Sequence, residues 1–173
     1  MKRFVLNLLL LSLLSIDLTG CGYTVGNSYQ PDVQTVYVPI FENKTFRRGF
    51  EYQLTEAVQQ KIQSRTPFRL AKGAEADTRL TGTIKQINKS VLGTTQFDDP
   101  RNLNLQFVVE VTWEDMRSGK ILSQQQVPIT ADVVSLVSAA SFAPEVGQSL
   151  ATATKTATDS LANQIVQLME MPW

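Results

Sequence analysis

The apolar positions of this chain change their period several times, and each change marks an element. A nearly continuous apolar run from Phe4 to Ile16, broken only by Asn7, Ser12 and Ser15, comes first. As a helix it would rise only about 20 Å, short of the ~30 Å that a hydrocarbon core requires. Gly22, Gly26, Asn27, Ser28 and Pro31 then punctuate a short connecting stretch. Val33 to Phe41 is β-branched and aromatic and reads as a strand, with Pro39 confined to its end or edge because proline donates nothing to a ladder. Glu42-Asn43-Lys44-Thr45 reads as a loop. From Phe50 to Ser64 the period becomes helical: Phe50, Leu54, Ala57, Val58 and Ile62 share one side, and Glu51, Gln53, Glu56, Gln59, Gln60 and Gln63 fill the other. Pro67 ends this helix, since the residue before a proline avoids the helical region.

Phe68-Arg69-Leu70-Ala71 reads as a short strand and Lys72-Gly73-Ala74 as a turn. Thr78 to Leu92 is a long strand, with Leu80, Gly82 and Ile84 on one face; Ile87 breaks the alternation and predicts a bulge near Lys85-Gln86. After a loop over 93–100, with Asp98-Asp99-Pro100 as its turn signal, the alternation is cleanest. Leu103, Leu105, Phe107, Val109, Val111 and Trp113 alternate with Asn104, Gln106, Val108, Glu110, Thr112 and Glu114. That is the mark of a half-buried antiparallel strand. Met116-Arg117-Ser118-Gly119-Lys120 turns, and Ile121 to Val134 is expected to return as the partner strand, limited in its middle by Pro128. Ser135 to Ala143 is ambiguous. From Glu145 onward Val146, Leu150, Ala153, Ala157, Leu161, Ile165 and Leu168 form a helical stripe, ended by Pro172. The expected fold is α+β, in the order β-α-β-β-β-α, with two helices packed on one face of a mostly antiparallel four-stranded sheet.

The N-terminus changes the picture of the first segment. Met1-Lys2-Arg3 before the apolar run makes a secretory signal, and the run ends Leu18-Thr19-Gly20-Cys21, which resembles a bacterial lipobox. Residues 1–20 then read as a lipoprotein signal peptide, 21–32 as a lipidated tether and 33–173 as a single domain. Cys21 becomes the acylated first residue, carrying covalent diacylglycerol and an N-acyl lipid, and several acyl chains at ~0.8 kcal/mol per buried CH₂ give a stable membrane anchor. Gly22 after the cysteine is compatible with sorting to the outer membrane. Removal of Lys2, Arg3 and Asp17 with the signal leaves one more acidic than basic group.

Composition excludes chemistry. The 173 residues contain no histidine and one cysteine, so imidazole-based nucleophiles, zinc clusters and disulfides are all removed. Equal totals of 16 basic and 16 acidic residues argue against a nucleic-acid partner, which calls for a basic excess. Asp98-Asp99 before a proline reads as a turn rather than half of an acid/base pair, and Glu110 and Glu114 read as a solvated sheet face. Gly82 and Gly93 fit no phosphate-binding loop, and no calcium-loop pattern occurs, so no catalytic residue and no metal ligand is assigned. The cations have two readings. Lys85, Lys89 and Arg101 flank one strand connection, and Arg117 and Lys120 lie in the next hairpin. They are either candidate contacts for lipid phosphate groups at one end of the sheet or ordinary surface charge. The open sheet face, with Tyr37, Val108 and the Gln, Asn and Thr positions, is either a mildly apolar docking surface or a plain solvated one. The uncharged stretch Ser138 to Phe142 is likewise a docking segment or a loop.

Several strings carry a resemblance. They are Cys21-Gly22-Tyr23, Val36-Tyr37-Val38-Pro39-Ile40-Phe41-Glu42-Asn43-Lys44-Thr45, and Glu51 with Leu54-Thr55-Glu56-Ala57. Ala76-Asp77 before Leu80-Thr81-Gly82-Thr83-Ile84, and Arg117-Ser118-Gly119-Lys120, follow in order. Together they resemble the LPS-assembly lipoprotein family, LptE. The resemblance implies two helices on a four-stranded sheet and no catalytic residues. It also implies a non-enzymatic outer-membrane lipoprotein that plugs a large LPS-assembly β-barrel and helps place lipopolysaccharide in the outer leaflet. Such a protein is lipid-anchored, faces the periplasm and the barrel lumen, and in relatives binds lipopolysaccharide through cations at strand connections and before the last helix. Arg101 matches the first region; the second, 133–149, holds no Lys or Arg here. A curli-secretion-like or Tol-associated envelope lipoprotein shares the Val-Pro-Ile-Phe-Glu-Asn string and stands as the alternative, beside a small envelope hydrolase and a lipid-carrying module without a barrel.

Overall fold

A computed structural model describes residue 29 and residues 32–94, 100–122 and 133–170. The elements are β1 (Thr35–Tyr37), β2 (Glu42–Asn43), α1 (Phe50–Arg65), β3 (Arg69–Leu70), β4 (Thr78–Thr94), β5 (Pro100–Asp115), β6 (Val134–Phe142) and α2 (Leu150–Gln167). On β5 the strict alternation of the sequence sends Leu103, Leu105, Phe107, Val109, Val111 and Trp113 into the core, where α2 packs on the strand and Phe50 of α1 meets Phe107. The register with β4 slips between Ile84 and Gln86, at the bulge the broken alternation predicts.

The sheet departs from expectation in two ways. It has six strands and is mixed, in the order β3-β1-β4-β5-β6 with β2 also on β4, rather than four and mostly antiparallel. The region Val33–Phe41 is not one strand: Val36 pairs with Thr78, Glu42 with Thr83, and the segment between holds one residue more than β4 does. Pro39 has no N–H to give, so the ladder breaks around it and resumes as β2. α1 then acts as a crossover, and a chain that crosses a helix layer re-enters the sheet in the same direction, which makes β3 parallel to β1.

The second departure is the partner of β5. Among the described residues of the expected strand 121–134, Ile121, through a bridge to Glu114, and Val134 join the sheet; residues 123–132 lie outside the described residues. The ambiguous segment supplies the strand instead, running from Val134 opposite Val111 to Phe142 opposite Leu103. Its alternation was masked because the inward set includes Ser138 and Ala140, which are small but buried.

α2 starts later than Glu145. Pro144–Val146 makes one 3₁₀ turn, Gly147 at φ 82 reverses the backbone, and the Ser149 hydroxyl caps the helix by accepting from the Thr152 N–H at 3.1 Å. Val146 is therefore exposed rather than part of the stripe. The buried face of α2 is Ala153, Ala157, Leu161 and Ile165, interleaved with Thr154, Thr158, Ala162 and Val166. The two buried threonine hydroxyls donate to the carbonyls of Leu150 and Thr154, which satisfies them inside the helix. Around the largest core side chains, Phe50 meets Phe107 edge-on at 5.4 Å and Phe68 lies 6.0 Å from Trp113. Among the described residues no helix is long and apolar enough to cross a membrane.

Candidate functional site

The second face of the sheet carries the polar half of the alternation, and no described element covers it. Its rows run Thr112 beside Thr81, Glu110 beside Thr83, Val108 beside Gln86, Gln106 beside Asn88 and Asn104 beside Ser90. On the other side β6 adds Ser135, Val137, Ala139 and Ser141 to the same face. Hydroxyl, amide and small apolar groups dominate. The charges here are cancelled in pairs: Arg79 reaches Glu114 at 2.5 Å, and Lys85 reaches Glu110 at 2.7 Å. Glu110 and Glu114 are thus ion-pair partners, with no free carboxylate left for acid/base work. Tyr37 lies in this face opposite Arg79, and Val108 stands beside Val137.

The remaining sequence-named cations are not gathered at one end of the sheet. Arg101 pairs with Glu145 at 3.3 Å, while Arg117 pairs with Asp77 at the opposite end of β5. About fourteen residues of strand between them span nearly 50 Å. Lys89 is exposed on β4 opposite Leu105, and Lys120 is exposed in the turn after β5. Cys21 and Asp98-Asp99 lie outside the described residues. Among the described residues no group of acidic, histidine or cysteine side chains is arranged to hold a metal.

Three features escaped the sequence. Asp77 is a clamp: its carboxylate accepts from the Thr35 hydroxyl at 2.8 Å and from the N–H groups of Gln34 and Thr35, and it pairs with Arg117. The Thr35 hydroxyl above all, against the opposing effect of burial, then the two N–H groups and Arg117, hold this carboxyl below its ordinary range. Asn43 is a hub: its carbonyl oxygen accepts from the Thr45 N–H and hydroxyl, and its amide donates to the Arg47 carbonyl and to Glu51, each at 2.7 Å. The Asn43 amide is the leading cause that lowers the Glu51 carboxyl. Gly82 is a seat for an aromatic ring: a Cβ placed there would fall within 2.8 Å of three ring carbons of Phe41. The hints in the sequence were Ala76-Asp77, the Glu42-Asn43-Lys44-Thr45 loop and a glycine inside a strand, which often marks close approach.

At the end where both helices finish, the Tyr29 hydroxyl donates to the Arg65 carbonyl and to Glu170. Tyr29 is therefore fastened to the domain there. Desolvation first, then the negative charge of Glu170, raises the Tyr29 hydroxyl above its ordinary range. Between the helices lies a shallow groove of about 280 Å³, lined by Gln53, Glu56, Gln60, Lys155, Thr158 and Asp159, in which Lys155 pairs with Asp159 at 3.2 Å and Glu56 accepts from the Gln60 amide.

Comparison with solved structures identifies the fold. The uncharacterized lipoprotein B from Nitrosomonas europaea is similar at 15% identity and a TM-score of 0.52, over 86% of this chain and 89% of that one. Rare lipoprotein B from Shewanella oneidensis is similar at 14% identity and a TM-score of 0.51, over 79% and 93%. A hypothetical protein from Chlamydia trachomatis is similar at 12% identity and a TM-score of 0.54, over 78% and 94%. None of the curated proteins matches the sequence. The LptE model, described as lipopolysaccharide-assembly, matches residues 33–169, from the start of the folded unit to the end of α2, in the order the sequence strings follow. The chain belongs to the LptE lipopolysaccharide-assembly family, a family of non-enzymatic envelope lipoproteins.

Proposed function

We propose that this protein is an outer-membrane lipoprotein that assembles with and plugs a large LPS-assembly β-barrel, helping lipopolysaccharide reach the outer leaflet without catalysing a reaction. The observation that carries this reading is the uncovered sheet face. It is wide and rich in hydroxyls and amides, and its charges are already paired as Arg79–Glu114 and Lys85–Glu110. A barrel lumen is polar, and a plug that brings its own neutralised charges enters it without leaving a buried ion unpaired. Acyl chains on Cys21 hold the protein at the periplasmic leaflet, and the tether 21–32 gives the domain its reach. Plugging does not require a phosphate site, and Lys85, Arg101 and Arg117 are engaged in ion pairs. The test is crosslinking in intact cells followed by recovery of the native protein. Recovery of a large outer-membrane β-barrel supports the reading. Recovery of none, or of a ring of identical copies, overturns it and favours the secretion-type alternative.

A further inference from the structure

The flank of the domain beside β2 presents a different surface from the polar sheet face. Ile40, Phe46 and Tyr52 lie within thirteen residues of one another, and they are 61%, 104% and 60% exposed. Their placement is fixed by the surrounding contacts. Ile40 sits between Val38, whose carbonyl accepts from the Gln59 amide, and Phe41, whose N–H donates to the Thr55 hydroxyl. Ile40 therefore runs along the side of α1 that carries Thr55 and Gln59. Tyr52 lies one turn before Thr55 on that same side, since residues three apart on a helix are neighbours. Phe46 is carried by the loop that leads into α1. The Asn43 hub closes that loop through Thr45, Arg47 and Glu51, and the Gly49 N–H adds a bond to Glu51 at 3.0 Å. The loop is tied at its base, with Phe46 held outward at its tip.

Cations surround the ring. Lys44, Arg47 and Arg48 are all exposed, with no acidic residue between Glu42 and Glu51. Glu51 is occupied by the Asn43 amide and the Gly49 N–H, and Arg48 also acts on it electrostatically and donates to the Asn43 carbonyl. Lys44 is loosely paired with Glu42 at 3.7 Å, and Arg47 has no carboxylate partner among the described residues. An aromatic tip flanked by Lys and Arg, with a tyrosine beside it, is the arrangement that sits at a lipid–water interface. The rings enter the headgroup layer and the cations meet its phosphates. Of the nearby carboxylates, Glu42 is paired with Lys44, Glu51 accepts from the Asn43 amide and the Gly49 N–H, and Glu56 accepts from the Gln60 amide.

We infer that the Ile40–Phe46–Tyr52 flank, with Lys44, Arg47 and Arg48, is a docking surface for an anionic phospholipid bilayer. The contact is peripheral and salt-sensitive, distinct from the acyl anchor at Cys21 and from the polar sheet face. Neutral surfaces would hold it poorly, and each cation contributes about fivefold in partition to an anionic one.

The experiment uses the full-length chain carrying Phe46→Trp, mixed with vesicles of phosphatidylcholine alone or with 30% phosphatidylglycerol, and brominated lipids as quenchers. Unsubstituted protein supplies the background from Trp113 and Trp173. The expected result is a blue-shifted, bromine-quenched emission on the anionic vesicles, lost at high salt. With Arg47→Glu and Arg48→Glu added, quenching falls by tenfold or more while circular dichroism is unchanged. Emission identical on both vesicle types, or quenching untouched by the charge reversals, overturns the inference. So does quenching that persists at high salt. No barrel is present, so failure here is separate from failure of the crosslinking test.

Discussion

Replacing Gly82 by alanine adds one methyl group at a place that has no room for it. The new Cβ would lie within 2.8 Å of three ring carbons of Phe41, whereas carbon atoms pack at about 3.5–4.0 Å. Relief requires a shift of about 1 Å. The Phe41 ring is 2% exposed, and its N–H is held by the Thr55 hydroxyl at 3.0 Å, so neither ring nor backbone can swing into solvent. Overpacking of this kind costs about 1–3 kcal/mol, against a gain of about 0.4–1 kcal/mol from the stiffer unfolded chain. Gly82→Ala is therefore expected to destabilise the domain by about 1.3 kcal/mol net. At this chain length that is a fall of roughly 3–5 °C in Tm. Urea unfolding followed by Trp113 fluorescence measures it. Phe41→Leu shortens the ring's reach and loses apolar area by itself, but it opens the space over residue 82. The double variant should then be more stable than the sum of the two single effects by at least 1 kcal/mol. A Gly82→Ala protein within 0.5 kcal/mol of the parent, or strict additivity in the pair, would falsify the account of Gly82 as the seat of Phe41.

Other outcomes follow from the polar contacts. The Asp77 carboxyl has a folded value below its unfolded value of 3.8, so its contribution is present above that value and is lost as the pH falls through the folded one. Asp77→Asn should flatten the loss of stability on acidification below about pH 4, and an unchanged acid limb in denaturation curves would contradict the clamp. Gln106→Glu places an unpaired charge on the open sheet face. It should leave isolated stability within about 0.5 kcal/mol while reducing recovery of the barrel partner, and undiminished recovery would remove that face from the interface. Cys21→Ala should abolish palmitate labelling and release the protein from membranes; persistent labelling would rule out the lipobox.

Legibility in the sequence tracked the range of the interaction that decides each feature. α1, the long strand β4 and its bulge, β5 and the stripe of α2 were all readable, because burial on one side writes a period of 3.6 or 2 into the residues themselves. β6 was not, because its inward positions include Ser138 and Ala140, and a small residue buried by a neighbour looks the same as one in a loop. The parallel pairing of β1 and β3 was hidden for a different reason: each strand is only two or three residues long, and direction belongs to the crossover, not to the residues. For the candidate cations, the sequence could not say that Arg101 and Arg117 stand at opposite ends of one strand.

What the sequence determined by itself was the lack of histidine and of a second cysteine, the two helices on a sheet, and the ordered strings that mark the family. Those depend on residue identity and on local period. The tertiary structure alone decided which carboxylates pair with which cations, that Phe41 occupies the space above Gly82, and that Ile40, Phe46 and Tyr52 share one flank with three basic residues. Each depends on segments far apart in the chain, or separated by a turn, being brought together. Distance through space enters Coulomb attraction and steric contact directly, and a one-dimensional pattern does not contain it.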